Sequence, residues 1–159
     1  MKQCDEQVAR LIEQQCRQSV DVSIHRVKGD GNRLFRCLSL GITNTEDHHA
    51  EFRRLITSQL MANWHGNENV ESEIRQMARN GEWGTDREIA AAANVFNCSI
   101  VCCSNYGASN RLCLQVFSPH MMLGGECVAG CKHNTLFIAN MGGSHYDLLV
   151  VKQKSSTEE

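Results

Sequence analysis

Gly29-Asp30-Gly31-Asn32-Arg33-Leu34-Phe35-Arg36 reads as a glycine-rich turn running into an apolar helix. Glycine permits the left-handed backbone angles of a tight turn and lets another chain come close. A residue at the first helical position sits among unpaired N–H groups, near the positive end of the helix dipole. A cysteine there would have its thiolate stabilised and its pKa lowered. The same N–H groups would hold an oxyanion. Position 33 is instead an arginine. Its charge opposes the dipole, and it is no nucleophile at any working pH.

A second stretch, Gly143-Ser144-His145-Tyr146-Asp147-Leu148-Leu149, sets a histidine and an aspartate two residues apart. On a strand this spacing turns both side chains to one face and Tyr146 and Leu148 to the other. A carboxylate beside an imidazole fixes its tautomer and stabilises the cation, so the pair reads as a base with its orienting acid. Taken singly, each stretch is more often a plain turn or a strand end. Between them lies a third landmark, Trp83-Gly84 followed by Glu88-Ile89-x-Ala91-x-Ala93.

In this order the three landmarks resemble the ovarian-tumour (OTU) family of deubiquitinating cysteine proteases, over roughly residues 27–151. That family opens its catalytic helix with Asp-Gly-Asn-Cys-Leu-Phe-Arg, so Arg33 falls on the nucleophile position. The resemblance implies an α+β, papain-related fold, a small mixed or antiparallel sheet packed by helices. It implies His145 as general base, Asp147 as the acid that orients it, and Asp30 in the loop shaping the oxyanion site. The implied chemistry is cysteine-mediated cleavage of the isopeptide bond after ubiquitin's C-terminal glycine, with no cofactor and no metal. The implied partner is ubiquitin, polyubiquitin or a ubiquitin-like modifier.

With Arg33 in the nucleophile's place, the chain is expected not to cleave. The alternative is a natural pseudo-deubiquitinase that binds the modifier without cutting it. A third reading has Arg33 salt-bridged to Asp147 or Asp30 in a cleft that no longer takes ubiquitin. A long cation is also expected to obstruct a channel shaped for an extended Gly-Gly tail, although it could pair with a free C-terminal carboxylate.

Composition bounds the rest. The 159 residues are 42% hydrophobic and 21% charged, with a net charge of −2. That suits one domain over 1–159, which would bury roughly 68–70% of its unfolded surface. No Lys/Arg stripe suggests nucleic acid and no basic amphipathic helix suggests a membrane surface. No run approaches the ~20 apolar residues of a span. The segment Met1 to Glu6 lacks the apolar run of a signal peptide. Nine cysteines without a secretory signal argue for free thiols in a reducing compartment. The expectation is a monomer in the cytoplasm, with the nucleus as the alternative location.

The hydrophobic pattern predicts helices over 3–18, from Arg33 to Gly41, over 45–64 and over 70–80, with Gly41 as a left-handed cap. Thr85-Asp86-Arg87-Glu88 is a capping box that starts a helix ending near Phe96. Strands are predicted at 20–27, 99–102 and 111–117, and a hairpin at 135–139 and 146–151. Residues 120–134 read as an irregular loop and 152–159 as a polar tail. Cys37, one helical turn after Arg33, reads as a buried apolar residue. Cys127-x-x-x-Cys131-x-His133 lacks a fourth ligand and is not read as a zinc site. Glu51, Arg53 and Arg54 read as a solvated helix face, and His48 and His49 as solvent-facing.

Overall fold

The computed structural model describes residues 2–3, 6–64, 66, 68–105, 111–119, 135–142 and 145–155. Three of the expectations above lie outside those residues: the 120–134 loop, its Cys127, Cys131 and His133, and the end of the tail. Among the described residues six strands form one mixed sheet: β1 (Lys2–Gln3), β2 (Val20–His25), β3 (Ser99–Ser104), β4 (Cys113–Phe117), β5 (Thr135–Met141) and β6 (His145–Gln153). Their order across the sheet is β1-β2-β6-β5-β3-β4. Only β3 and β5 pair in parallel; the other neighbours are antiparallel. The last strand in sequence is thus a central strand in space. It pairs with β2 on one side and β5 on the other, with Met141 opposite His145.

Among the described residues there are five α-helices: α1 (Glu6–Cys16), α2 (Arg33–Thr43), α3 (His49–Ala62), α4 (Glu68–Met77) and α5 (Asp86–Val95). Strand alternation divides the core in two. Leu148 and Tyr146 face a cluster built with Leu34, Phe35 and Leu38 of α2 and with Ile56 of α3. Leu149 faces the opposite cluster, where α1 contributes Val8 and Ile12. The helices therefore lie on both faces, which is the α+β arrangement that the motif order implied.

Several boundaries differ from the sequence expectation, two of them for identifiable reasons. The first helix begins at Glu6 because residues 2–3 pair with Ser23 and Ile24 as an edge strand. The second does not end at Gly41 but runs to Thr43, and Asn44 takes the left-handed cap at φ 64°. Gly41 serves a packing purpose instead. A Cβ there would lie 2.1 Å from Leu136 Cδ1 and 3.1 Å from Leu148 Cδ1, so glycine lets α2 settle closely on the sheet.

Candidate active site

The turn at 29–32 ends at a helix whose N-terminus has no side-chain cap. Asn32 occupies the cap position, but its side chain makes no capping bond. Its Oδ1 accepts from Arg53 Nη2 at 2.8 Å and from the Gly81 N–H at 2.9 Å. Arg53 is 3% exposed, so it is part of the core and not of a solvated helix face. Its guanidinium also donates to the carbonyls of Met77 at 2.8 Å and Glu82 at 2.7 Å. It lies 4.1 Å over the Phe35 ring, a cation–π contact in a desolvated setting. A single buried side chain thus ties the turn before α2 to the segment after α4.

That junction is also the closest backbone approach at the site. A Cβ on Gly31 would sit 1.7 Å from the Gly81 carbonyl oxygen, and one on Gly84 2.4 Å from Leu34 Cδ2. Both glycines are demanded by contact, one against backbone and one against the second residue of α2. The wall following Gly81 then presents Trp83, 58% exposed at the cleft mouth. Glu88 of α5 anchors this wall from behind. Its fully buried carboxylate accepts the Thr85 N–H at 2.9 Å and the Thr85 hydroxyl, the capping box seen in the sequence.

Asp30 faces the turn but is held by its neighbour. Its Oδ2 pairs with Arg36 Nη2 at 2.9 Å and its Oδ1 accepts the Asn32 N–H at 3.0 Å. The hydrogen-bonded Arg36 guanidinium holds the Asp30 carboxyl down at about 2. Asp30 therefore stays ionised and sets the shape of the loop. His49 is half-buried next to this pair, not solvent-facing; burial, and then the Arg36 charge, pull its imidazole below the ordinary value.

Arg33, the first residue of α2, does not bridge Asp30 or Asp147. Its Nη1 contacts Nδ1 of His145, across 112 residues of sequence. Arginine only donates, so Nδ1 must be the accepting nitrogen and the imidazole carries its proton on Nε2. Arg33 Nε is buried with no hydrogen-bond partner. Asp147 is half-buried, and its Oδ1 accepts the Val27 N–H at 3.3 Å. No hydrogen bond joins Asp147 to His145 among the described residues. The structure thus brings position 33 and His145 together, and it fixes Asp147 to the chain leaving β2.

Other thiols are poorly placed to act. Cys37 is fully buried, and burial first of all holds its thiol well above the usual range. Burial likewise pushes Cys102 up to about 12. Cys102 and Cys103 face opposite clusters of the core. The six described cysteines are all free. Among the described residues no group of three His, Cys, Asp or Glu side chains gathers to hold a metal, and no helix is long and apolar enough to cross a membrane.

Arg53 is the site residue that the sequence reading missed. The available signal was helical spacing: position 53 lies three residues before Ile56 and four before Thr57, both of which are buried.

A helix N-terminus facing a strand-borne histidine, on helices packed around a mixed sheet, is the layout of a papain-like cysteine hydrolase. A model of the OTU-like cysteine protease family matches residues 28–135, and the chain belongs to that family. Over 86 residues it is 34% identical to ovarian tumor domain-containing deubiquitinating enzyme 10 of Arabidopsis thaliana, covering 51% of this chain and 24% of that protein. The chain thus spans about a quarter of that relative's length. Solved structures show the same fold. The OTUD1 OTU domain superposes with a TM-score of 0.69 at 18% identity, over 91% of this chain and 93% of that one. The Hazara virus OTU bound to ubiquitin gives 0.63 at 17% identity, over 86% and 91%.

Proposed function

We propose that the chain is a deubiquitinase-type domain whose cleft admits the tail of ubiquitin or a related modifier, and that Arg33 stands where the reacting thiol belongs. The observation that carries this reading is the contact of Arg33 with His145 Nδ1. The first residue of α2 reaches the one histidine nitrogen that a nucleophile at that position would use. Arginine offers no nucleophilic electron pair at working pH, so the chain as it stands does not hydrolyse.

A thiol at position 33 would meet the remaining requirements. His145 Nδ1 would take its proton, the sulfur would attack the scissile carbonyl, and the uncapped first turn of α2 would hold the oxyanion. His145 would return the proton to the leaving lysine amine, and water would then release the acyl group from sulfur. Asp147, two residues from His145 on β6, would steady the imidazolium as it forms. The free cysteines accord with work in a reducing compartment such as the cytoplasm.

The test is hydrolysis of a ubiquitin C-terminal fluorogenic amide by the chain and by Arg33→Cys. Activity in the variant alone is expected, abolished again by adding His145→Ala. A folded but silent Arg33→Cys would overturn the reading.

A further inference from the structure

The arginine does not fill the cleft. A cavity of about 220 Å³ remains in front of α2, with Arg33, Gly31, Leu34, Trp83, Gly84 and Tyr146 among its lining residues. The Arg33 side chain folds over the turn, its Nη2 3.6 Å from where a Gly29 Cβ would lie, and reaches His145 at its tip. This leaves space in front of α2 while setting Arg33 against His145. It leaves a guanidinium in a concave wall with no carboxylate salt-bridged to it among the described residues and with its Nε buried and unpaired. A carboxylate is the group that satisfies a guanidinium best, through paired charge-assisted bonds.

The nearby acids are already engaged. Asp30, which also lines the cavity, stays ionised in its pair with Arg36, and Asp147 accepts the Val27 N–H; neither is salt-bridged to Arg33. Arg33 therefore lines the cavity as a cation with no salt bridge to a carboxylate among the described residues.

We infer that this cleft is a receptor for a free C-terminal carboxylate on an extended chain end, with Arg33 as the residue that binds it. The exposed Trp83 offers an apolar face at the mouth of the cavity that Arg33 lines. A hydrolase must release such a carboxylate as product; a charge fixed at the reacting position retains it. The identity of the ligand as the released ubiquitin tail rests on the function proposed above. The carboxylate preference does not.

The experiment compares ubiquitin ending in its native carboxylate with the same protein ending in a C-terminal amide, by calorimetry on the full chain. The acid form is expected to bind about tenfold tighter or more, the range of a charge-assisted pair. The difference should collapse in Arg33→Met, which keeps much of the apolar stem. Equal affinity for acid and amide, or discrimination that survives Arg33→Met, would overturn the inference. The acid and amide forms of a short peptide ending in Gly-Gly, followed by amide chemical shifts, separate the two readings. Peptide acid bound selectively while ubiquitin is ignored would keep the carboxylate site and sink the ubiquitin assignment. An active Arg33→Cys together with no acid preference in the parent chain would do the reverse, and an absence of any binding would also overturn the carboxylate site.

Discussion

At the scale of single residues, the loop that shapes the cleft depends on one ion pair. Asp30 is held at about 2, first by its hydrogen-bonded pairing with Arg36, against a usual value of ~3.9 for an aspartate. A lowered carboxyl favours the folded state where it is ionised. Its contribution is therefore complete above about pH 4 and is lost as pH falls toward 2. Asp30→Asn should cost about 1–2 kcal/mol at pH 7, less than the full shift implies because solvent reaches the pair. Urea titrations of the two proteins at pH 7, 4 and 2.5 should show that difference narrowing toward zero at the acid end. A difference that stays constant with pH would show that the Asn32 N–H bond, and not the charge, supports the loop.

At the scale of elements, α3 carries the piece that was least legible. Its apolar stripe was plain, but Arg53 sits at the stripe's edge, where a long cation ordinarily leans into water. What draws it inward is a set of acceptors supplied by two separated segments: Asn32 in the turn before α2, and Met77 and Glu82 at and after the end of α4. None of these has a signature in the sequence around position 53. The capping box at Thr85 and Glu88 was legible for the opposite reason, since its partners lie three residues apart. The end of α2 was misread because a glycine near a helix terminus suggests a cap, while its contact partners Leu136 and Leu148 are about a hundred residues away. Arg53→Met should cost about 2–4 kcal/mol, chiefly from carbonyls left without a donor in the interior. The Gly81 N–H should also exchange faster with solvent as Asn32 loosens. Arg54→Met, whose parent residue is exposed and pairs with Glu51 one turn back, should leave the melting curve in place. Equal effects from the two substitutions would show that Arg53 contributes only helix-surface chemistry.

At the scale of the whole molecule, the site is assembled from the two ends of the chain's order. The turn and α2 come early, while His145 and Asp147 arrive on the last strand. The motifs could show that both halves exist, but only the sheet order places β6 beside β2, where His145 meets α2. β6 is also structural. It hydrogen-bonds to strands on both sides, and its alternation feeds Tyr146 and Leu148 to one core and Leu149 to the other. The segment that matches the family model, 28–135, contains neither β6 nor β2 and holds only the first residue of β5. Expressed alone, it would keep α2 to α5 and the β3–β4 pair but would lose the face on which α2 packs. Helices of ten to fourteen residues are marginal in water without such a face, and a two-stranded ribbon is no substitute. The fragment 28–135 should therefore show no cooperative thermal transition, and its amide proton spectrum should be collapsed. The parent chain should melt in one step. A cooperative melt of the fragment would mean that the α2–α3–α5 cluster is a folding unit in its own right. The sheet would then serve mainly to deliver His145 to position 33.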